Sequence, residues 1–198
     1  MSRIVYLMGA SGSGKDSILG YARERAGGLR VLFAHRYITR PAEAGGENHV
    51  ALSAEEFAFR KACGFFALSW RSNGLDYGLG LELDHWLEAG LLVVLNGSRE
   101  HLPQALGKYP SLVPVLVRAD AGRIRERLDN RGREGQAEVE ARMAKAKRLD
   151  HGVIGATQEG LHVIDNNGTL EIAGEALLTL LRKLAPGQFP ATAAQEMV

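Results

Sequence analysis

A glycine-rich segment near the start of the chain has the composition of a phosphate-binding loop. The segment and the two residues after it are Gly9, Ala10, Ser11, Gly12, Ser13, Gly14, Lys15, Asp16 and Ser17. Glycine permits the backbone conformations in which consecutive N–H groups turn toward one anion. The Lys15 ammonium would place a full positive charge on the β and γ phosphates of a nucleoside triphosphate. The pattern therefore predicts a loop that binds ATP and carries a catalytic lysine, Lys15.

The residue after Lys15 departs from the usual pattern of such loops. Ser or Thr normally ligates magnesium at this position, whereas this chain has Asp16, followed by Ser17. A carboxylate is a hard oxygen ligand that suits Mg²⁺, directly or through its bound waters. We therefore predict that Asp16 holds the metal. The alternative is an acidic residue that only complements the dipole of the following helix.

Basic and polar side chains further along the chain are candidates for binding a phosphorylated acceptor. Arg36 and Arg40 flank Thr39, and a segment from Asn96 to Arg99 follows an apolar run. Guanidinium groups match phosphate oxygens in a bidentate geometry, so their density favours an acceptor with more than one phosphate. The Tyr77 phenol could donate to a phosphate, or its ring could simply pack on the core.

A charged segment interrupted by glycine, residues 131–136, is typical of a lid that closes over an active site. We predict that Arg131 and Arg142 close over the transferring group, where they neutralise charge and exclude water. Arg123 and Arg127 are expected instead to be surface charges paired with nearby glutamates.

Short apolar runs and helical periodicity predict the elements that position these residues. The runs do not alternate with polar residues, which is typical of strands buried on both faces. Since helical stretches lie between most of them, we predict an α/β fold with a five-stranded parallel sheet covered by helices. The predicted strands are 4–8, 29–34, 91–95, 112–117 and 161–164, and the predicted helices are 15–26, 53–63, 81–89, 120–130, 137–149 and 170–184.

The spacing of these elements predicts one domain, residues 1–184, followed by a flexible tail, 185–198. The gap between the second and third strands is too long for a simple crossover. We interpret residues 36–80 as an inserted subdomain that binds the acceptor.

The composition excludes several classes of protein. The 198 residues include 24 Lys and Arg against 23 Asp and Glu, a net charge of +1 that argues against nucleic-acid binding. The apolar stretch at the N-terminus is too short to span a bilayer, so no membrane association is expected. A single cysteine, Cys63, cannot form an intramolecular disulfide, and a cytoplasmic setting is the default. The sequence does not indicate an oligomeric state.

Several motifs resemble the guanylate kinase superfamily in order and spacing. They occupy residues 9–15, 37–41, 68–70, 73–78, 127–132 and 165–166. The resemblance implies that Arg40 and Tyr77 hold the acceptor phosphate and that Asn166 lies near the adenine of ATP. Three departures weaken the case for GMP as acceptor. Ser69 occupies the position of the acidic residue that reads guanine, Glu43 corresponds roughly to the second acceptor arginine, and Asn96 replaces an aspartate.

A second set of motifs resembles the ribose 1,5-bisphosphate phosphokinases of bacterial phosphonate breakdown. It occupies residues 14–17, 35–41, 47–49, 68–70, 96–99 and 130–134. The resemblance implies transfer of the ATP γ-phosphoryl group to the 1-phosphate of ribose 1,5-bisphosphate. This acceptor has two phosphates and no base, and Ser69 or Asn96 could bond its hydroxyls. The alternatives are a nucleoside monophosphate kinase with an altered base preference and a binding module without catalysis.

Overall fold

The computed structural model describes residues 3–44, 47–131, 140, 143–144, 149, 160–185 and 187. The predicted lid beyond Arg131, most of the predicted helix 137–149 and nearly all of the predicted tail lie outside these residues.

The secondary structure alternates strands and helices along most of the chain. The strands are β1 (Ile4–Gly9), β2 (Val31–Phe33), β3 (Tyr37–Ile38), β4 (Val50–Ala51), β5 (Phe66–Ser72), β6 (Leu75–Gly80), β7 (Leu92–Asn96), β8 (Val113–Arg118) and β9 (His162–Asp165). The described helices are α1 (Lys15–Arg25), α2 (Ala54–Ala62), α3 (Glu82–Glu88), α4 (Leu102–Lys108), α5 (Ala121–Arg131) and α6 (Leu170–Leu184).

The main sheet has five strands in the order β2-β7-β1-β8-β9, and every neighbouring pair is parallel. Its two faces are both covered. Val5 and Leu7 of β1 pack with residues of α1 and α6, whereas Ile4, Tyr6 and Met8 pack on the opposite face with residues of α3 and α4. Apolar residues are therefore needed at successive positions, and the predicted α/β fold is confirmed.

A second sheet, with strand order β4-β3-β6-β5, lies within the segment between β2 and β7. β5 and β6 form an antiparallel hairpin whose turn contains Asn73 and Gly74, both with positive φ. Such a pair is the usual residue choice for a tight hairpin turn. These strands are absent from the sequence-based prediction, because β3 and β4 have only two residues each and give no periodic signal. Helix α4, which starts at Leu102, is also short and was not predicted.

The carboxyl ends of β1 and β7 meet at one edge of the main sheet, with Leu7 in register with Asn96. Ligands of open parallel sheets bind at this edge. Gly97 follows β7 directly, and a Cβ there would lie 2.1 Å from the ring of the buried Tyr6. The Tyr6 hydroxyl donates to the Ser98 carbonyl and accepts from the Ser98 N–H, both at 2.9 Å, so the ring cannot move away easily.

We expect Gly97→Ala to lower the free energy of unfolding by about 2 to 3 kcal/mol, because the added methyl overpacks the Tyr6 site. Gly107→Ala is the control, since its Cβ would meet no atom within 4 Å. Replacing glycine with alanine inside a helix raises the free energy of unfolding by about 0.5 to 1 kcal/mol. Urea unfolding of both variants measures the difference, and equal midpoints would contradict the prediction.

Candidate active site

The glycine-rich loop between β1 and α1 has the backbone geometry of an anion cradle. Gly12 and Gly14 have φ values of 83° and 87°, which disfavour any residue with a Cβ. A Cβ on Gly14 would also lie 2.2 Å from Asn166 Nδ2. Lys15 is the first residue of α1, so its ammonium and the helix N-terminus are adjacent.

Two side chains, one directly after β9 and one on α5, hold this loop from behind. Asn166, which is buried, donates from Nδ2 to the Ser13 carbonyl at 2.7 Å. Arg127 on α5 donates to the Ser13 carbonyl at 3.2 Å and to the Asn166 carbonyl at 3.1 Å. The expected surface role of Arg127 is therefore wrong, whereas Arg123 does pair with an exposed Glu126 at 3.9 Å. The Arg127 guanidinium thus shares the Ser13 carbonyl with Asn166 and links the loop to the segment that follows β9.

Arg127→Met is expected to raise the Kd for ATP about tenfold. The substitution removes a charged hydrogen bond that contributes about 1.5 kcal/mol, and without that bond the loop leaves its binding conformation more easily. Arg123→Met removes a guanidinium from the same helix and should change Kd less than about twofold, since its ion pair is exposed. Isothermal titration calorimetry compares the two. Equal effects would show that Arg127 acts only through its charge.

A cavity of about 290 Å³ opens beside the loop. It brings together eight of the residues predicted to bind substrates or metal, which are Gly9, Ser11, Lys15, Asp16, Arg36, Arg40, Tyr77 and Arg99. Burial lowers the pKa of Lys15, while the negative charge of Asp16 opposes that shift. The basic side chains of the loop and of the inserted segment therefore face one space.

Glu47 neutralises part of this positive charge. Arg36 donates from Nε to Glu47 Oε2 at 3.0 Å and from a second nitrogen to Oε1. Arg40 lies 3.8 Å from the same carboxylate and contacts His49 Nδ1 at 3.2 Å. Because Glu47 accepts from Nε and Nη2 of Arg36, fewer of the five Arg36 N–H groups remain for a substrate.

An aromatic stack forms another wall of the cavity. The Trp70 and Tyr77 rings are nearly parallel, with centroids 5.5 Å apart, and His101 stacks on Trp70 at 5.3 Å. The Arg36 guanidinium carbon lies 4.8 Å from the centre of the Tyr77 ring. Tyr77 is thus both packed and exposed to the cavity, so the two alternatives considered for it from sequence are compatible.

Curated relatives cover nearly the whole chain. A ribose 1,5-bisphosphate phosphokinase PhnN from Desulfomicrobium baculatum is 53% identical over 182 residues, which are 91% of this chain and 95% of the relative. A protein of the same name from Psychromonas ingrahamii is 47% identical over 183 residues, covering 92% of this chain and 91% of that protein. The chain belongs to the ribose 1,5-bisphosphate phosphokinase family. No family model matches the sequence.

The fold of this phosphokinase family member is shared with more distant structures. A guanylate kinase from Anaplasma phagocytophilum aligns with a TM-score of 0.68 at 15% identity, covering 98% of this chain and 94% of that one. A sugar kinase from Janibacter aligns with a TM-score of 0.51 at 21% identity, covering 92% and 95%. No helix in the described part of the chain is long and apolar enough to cross a membrane.

Other predicted site residues of this phosphokinase family member lie away from the cavity. Thr39 accepts a hydrogen bond from the Asp76 N–H at 2.9 Å and so fixes the second sheet. Ser69 pairs with Gly78 within that sheet and does not line the cavity. Asn166 supports the loop from behind. Asn96 contacts the site through Asp16, to which its Nδ2 donates at 2.7 Å.

The remaining predicted residues divide into two groups. Ala10, Gly12, Ser13 and Gly14 shape the loop without lining the cavity, and Ser17 is exposed on α1. Arg142 and the Arg131 side chain lie outside the described residues.

Sequence reasoning missed several residues that the phosphokinase fold brings into the cavity, among them Glu47 and Trp70. Both belong to motifs that carry the family resemblance, Glu47 within 47–49 and Trp70 within 68–70. The signal was therefore present, but only the structure shows that the Glu47 carboxylate meets two arginines that lie on either side of β3.

The residues of the cavity fit a magnesium nucleotide. A Cβ on Gly9 would lie 2.7 Å from the Val117 carbonyl, so the close approach of loop and sheet needs glycine. In the described part of the chain, no group of three or more His, Cys, Asp or Glu forms a metal site. Magnesium on a nucleotide is usually bound by one or two carboxylates together with the phosphates, and Asp16 is a carboxylate that lines the cavity together with Lys15.

Proposed function

We propose that this protein transfers the γ-phosphoryl group of ATP to the 1-phosphate of ribose 1,5-bisphosphate, giving 5-phospho-α-D-ribose 1-diphosphate. One observation carries the proposal. Lys15 of the phosphate loop lines the same cavity as Arg40, Tyr77 and Arg99, which come from other parts of the chain. The family supplies the acceptor, because the relatives that match at about half identity are named for it.

The donor is held by the loop and Lys15. Loop N–H groups bind the phosphate oxygens, and the Lys15 ammonium stabilises the negative charge that shifts toward the leaving group. Asp16 would hold Mg²⁺ on the donor phosphates. When bound, Mg²⁺ stabilises the charge on those phosphates as a Lewis acid.

The acceptor is held by the inserted segment and the end of β7. Arg40 and Arg99 bind its phosphates, Tyr77 donates from its phenol, and Arg36 contributes the N–H groups that Glu47 does not occupy. Residues 36–80 are thus proposed as the acceptor-binding part of the chain. Trp70, which stacks on Tyr77 and His101, lines the same cavity.

Transfer proceeds in line, without a covalent enzyme intermediate. An oxygen of the acceptor 1-phosphate forms a bond to the γ-phosphorus, and the bond from that phosphorus to the β–γ bridging oxygen breaks, which releases ADP. The acceptor phosphate is already ionised near neutral pH, so no general base is needed. Positioning and charge stabilisation by Lys15 and the arginines supply the rate. Arg131 and Arg142, with the lid 131–136, are proposed to close over the reacting groups.

Phosphorus NMR of a reaction with purified protein, ATP, Mg²⁺ and ribose 1,5-bisphosphate tests the proposal. A new diphosphate signal on carbon 1 of the sugar, with formation of ADP, is the expected result. GMP, AMP and CMP are assayed in parallel. The proposal would be overturned if a nucleoside monophosphate is phosphorylated rapidly and ribose 1,5-bisphosphate is not phosphorylated. If no acceptor leads to consumption of ATP, the result would favour a binding module.

The setting proposed for this activity is the cytoplasm. The chain has no possible intramolecular disulfide, and ATP is the donor. No nucleic acid or membrane partner is part of the proposal.

A further inference from the structure

Asp16 and Asn96 contact each other directly although they are far apart in the chain. Asn96 Nδ2 donates to Asp16 Oδ1 at 2.7 Å, and the same nitrogen lies 3.2 Å from Glu47 Oε2. The amide orientation follows from this arrangement, since the reverse orientation would place Oδ1 against two carboxylates. Asn96 is only 3% exposed, so the contact is shielded from water.

These two positions correspond to the two that commonly hold magnesium in enzymes with a phosphate loop. The usual arrangement has a neutral Ser or Thr after the loop lysine and an aspartate on a nearby strand. In this chain the loop position carries the acid, Asp16, and the end of β7 carries the neutral side chain, Asn96. One acidic and one neutral side chain are present in both arrangements, but they are exchanged.

Glu47 gives a physical reason for the exchange. An aspartate at position 96 would face Glu47 at the distance where the Asn96 amide now donates a hydrogen bond. Two carboxylates at so short a distance repel each other. The repulsion is relieved when one of them binds a proton or a cation. With the acid at position 16, the amide at position 96 bridges the two carboxylates as a donor to both.

We propose that Asp16 and Asn96 form an exchanged pair, in which Asp16 supplies the carboxylate for Mg²⁺ and Asn96 orients it while separating it from Glu47. The inference rests on the proposed function, because it requires a magnesium nucleotide at the loop. It assigns Asn96 as a positioning residue, in place of the contact with sugar hydroxyls expected from the sequence.

The isosteric double variant Asp16→Asn with Asn96→Asp tests the pair, since it moves the charge back without changing side-chain volume. Binding of Mg²⁺ with a non-hydrolysable ATP analogue is measured by calorimetry, and Mn²⁺ binding in the presence of ADP by electron paramagnetic resonance. Asp16→Asn alone should weaken metal-dependent binding by about 10- to 100-fold. The double variant should bind the metal better than Asp16→Asn alone, because a carboxylate is restored at position 96, but less well than the wild type, because that carboxylate faces Glu47.

Thermal unfolding without metal provides a second readout. Asn96→Asp alone should lower Tm, because its new carboxylate faces both Asp16 and Glu47, and Mg²⁺ with nucleotide should reverse much of the loss. A double variant that binds metal no better than Asp16→Asn would overturn the proposal. If circular dichroism shows that the double variant is unfolded, the Asn96→Ala variant replaces it as the test. Asn96→Ala should weaken metal-dependent binding about tenfold. An Asn96→Ala variant that binds the metal with wild-type affinity would overturn the proposal.

These measurements need no acceptor, so they separate this inference from the proposed function. If the wild type binds the magnesium nucleotide and the variants follow the expected pattern, the pair stands even where ribose 1,5-bisphosphate is not phosphorylated.

Discussion

Replacing Lys15 with methionine is expected to lower kcat by about 10³-fold, because the ammonium stabilises the charge that shifts onto the leaving group during transfer. Methionine retains most of the apolar stem, so the cavity keeps its shape. Lys183→Met, on the exposed last turn of α6, is the control and should leave kcat unchanged. A coupled assay for ADP measures both variants. A similar kcat in the wild type and Lys15→Met would remove Lys15 from the mechanism.

The same substitution should raise thermal stability. Burial lowers the pKa of Lys15, which means that the fold penalises its charged form at neutral pH. Methionine removes that penalty, so we expect a higher Tm for Lys15→Met than for the wild type. The difference in Tm between Lys15→Met and the wild type should narrow as the pH rises through the lowered pKa of Lys15, since Lys15 then becomes neutral in the folded wild type. A higher Tm with lost activity would identify Lys15 as a residue kept for function and not for stability.

Replacing Glu47 with alanine is expected to lower the free energy of unfolding by about 3 kcal/mol, because it leaves two partly buried guanidiniums without their carboxylate. The Glu47 and Arg36 side chains are only 13% and 10% exposed, so water replaces little of the lost interaction. Arg40 and Asn96 lose the same partner. The whole connection between the inserted segment and the loop is therefore weakened.

Glu56→Ala is the matched control for this change. Glu56 forms an ion pair with Arg60 on the exposed surface of α2, and such pairs contribute less than about 1 kcal/mol. Urea unfolding, monitored by circular dichroism, gives the midpoint and slope for each variant. If both substitutions shift the midpoint equally, the buried network adds nothing beyond an ordinary surface pair.

The main sheet and the phosphate loop could be predicted from the sequence because both depend on local patterns. A strand buried on both faces must be apolar at successive positions, as β1 is from Ile4 to Met8. The loop likewise needs glycine at positions such as Gly12 and Gly14, where φ is positive. Neither requirement depends on which distant residues are neighbours.

The second sheet could not be predicted in this way. β3 and β4 are too short to show periodicity, and their pairing joins residues on either side of a long connection. Arg127 was assigned wrongly for a related reason. A pattern of alternating charges on a helix predicts exposure, but it cannot show that the loop carbonyl of Ser13 lies within reach.

The amino-acid sequence alone shows which groups are available for chemistry: a phosphate loop, a lysine, a carboxylate at position 16 and several arginines. The partners of these groups are set by the folded chain, because hydrogen bonds and ion pairs depend on distances between residues that are far apart in the sequence. It joined Asp16 to Asn96 and placed Glu47 between that amide and two arginines. It also bonded Thr39 to the Asp76 N–H and placed Ser69 opposite Gly78 in the second sheet.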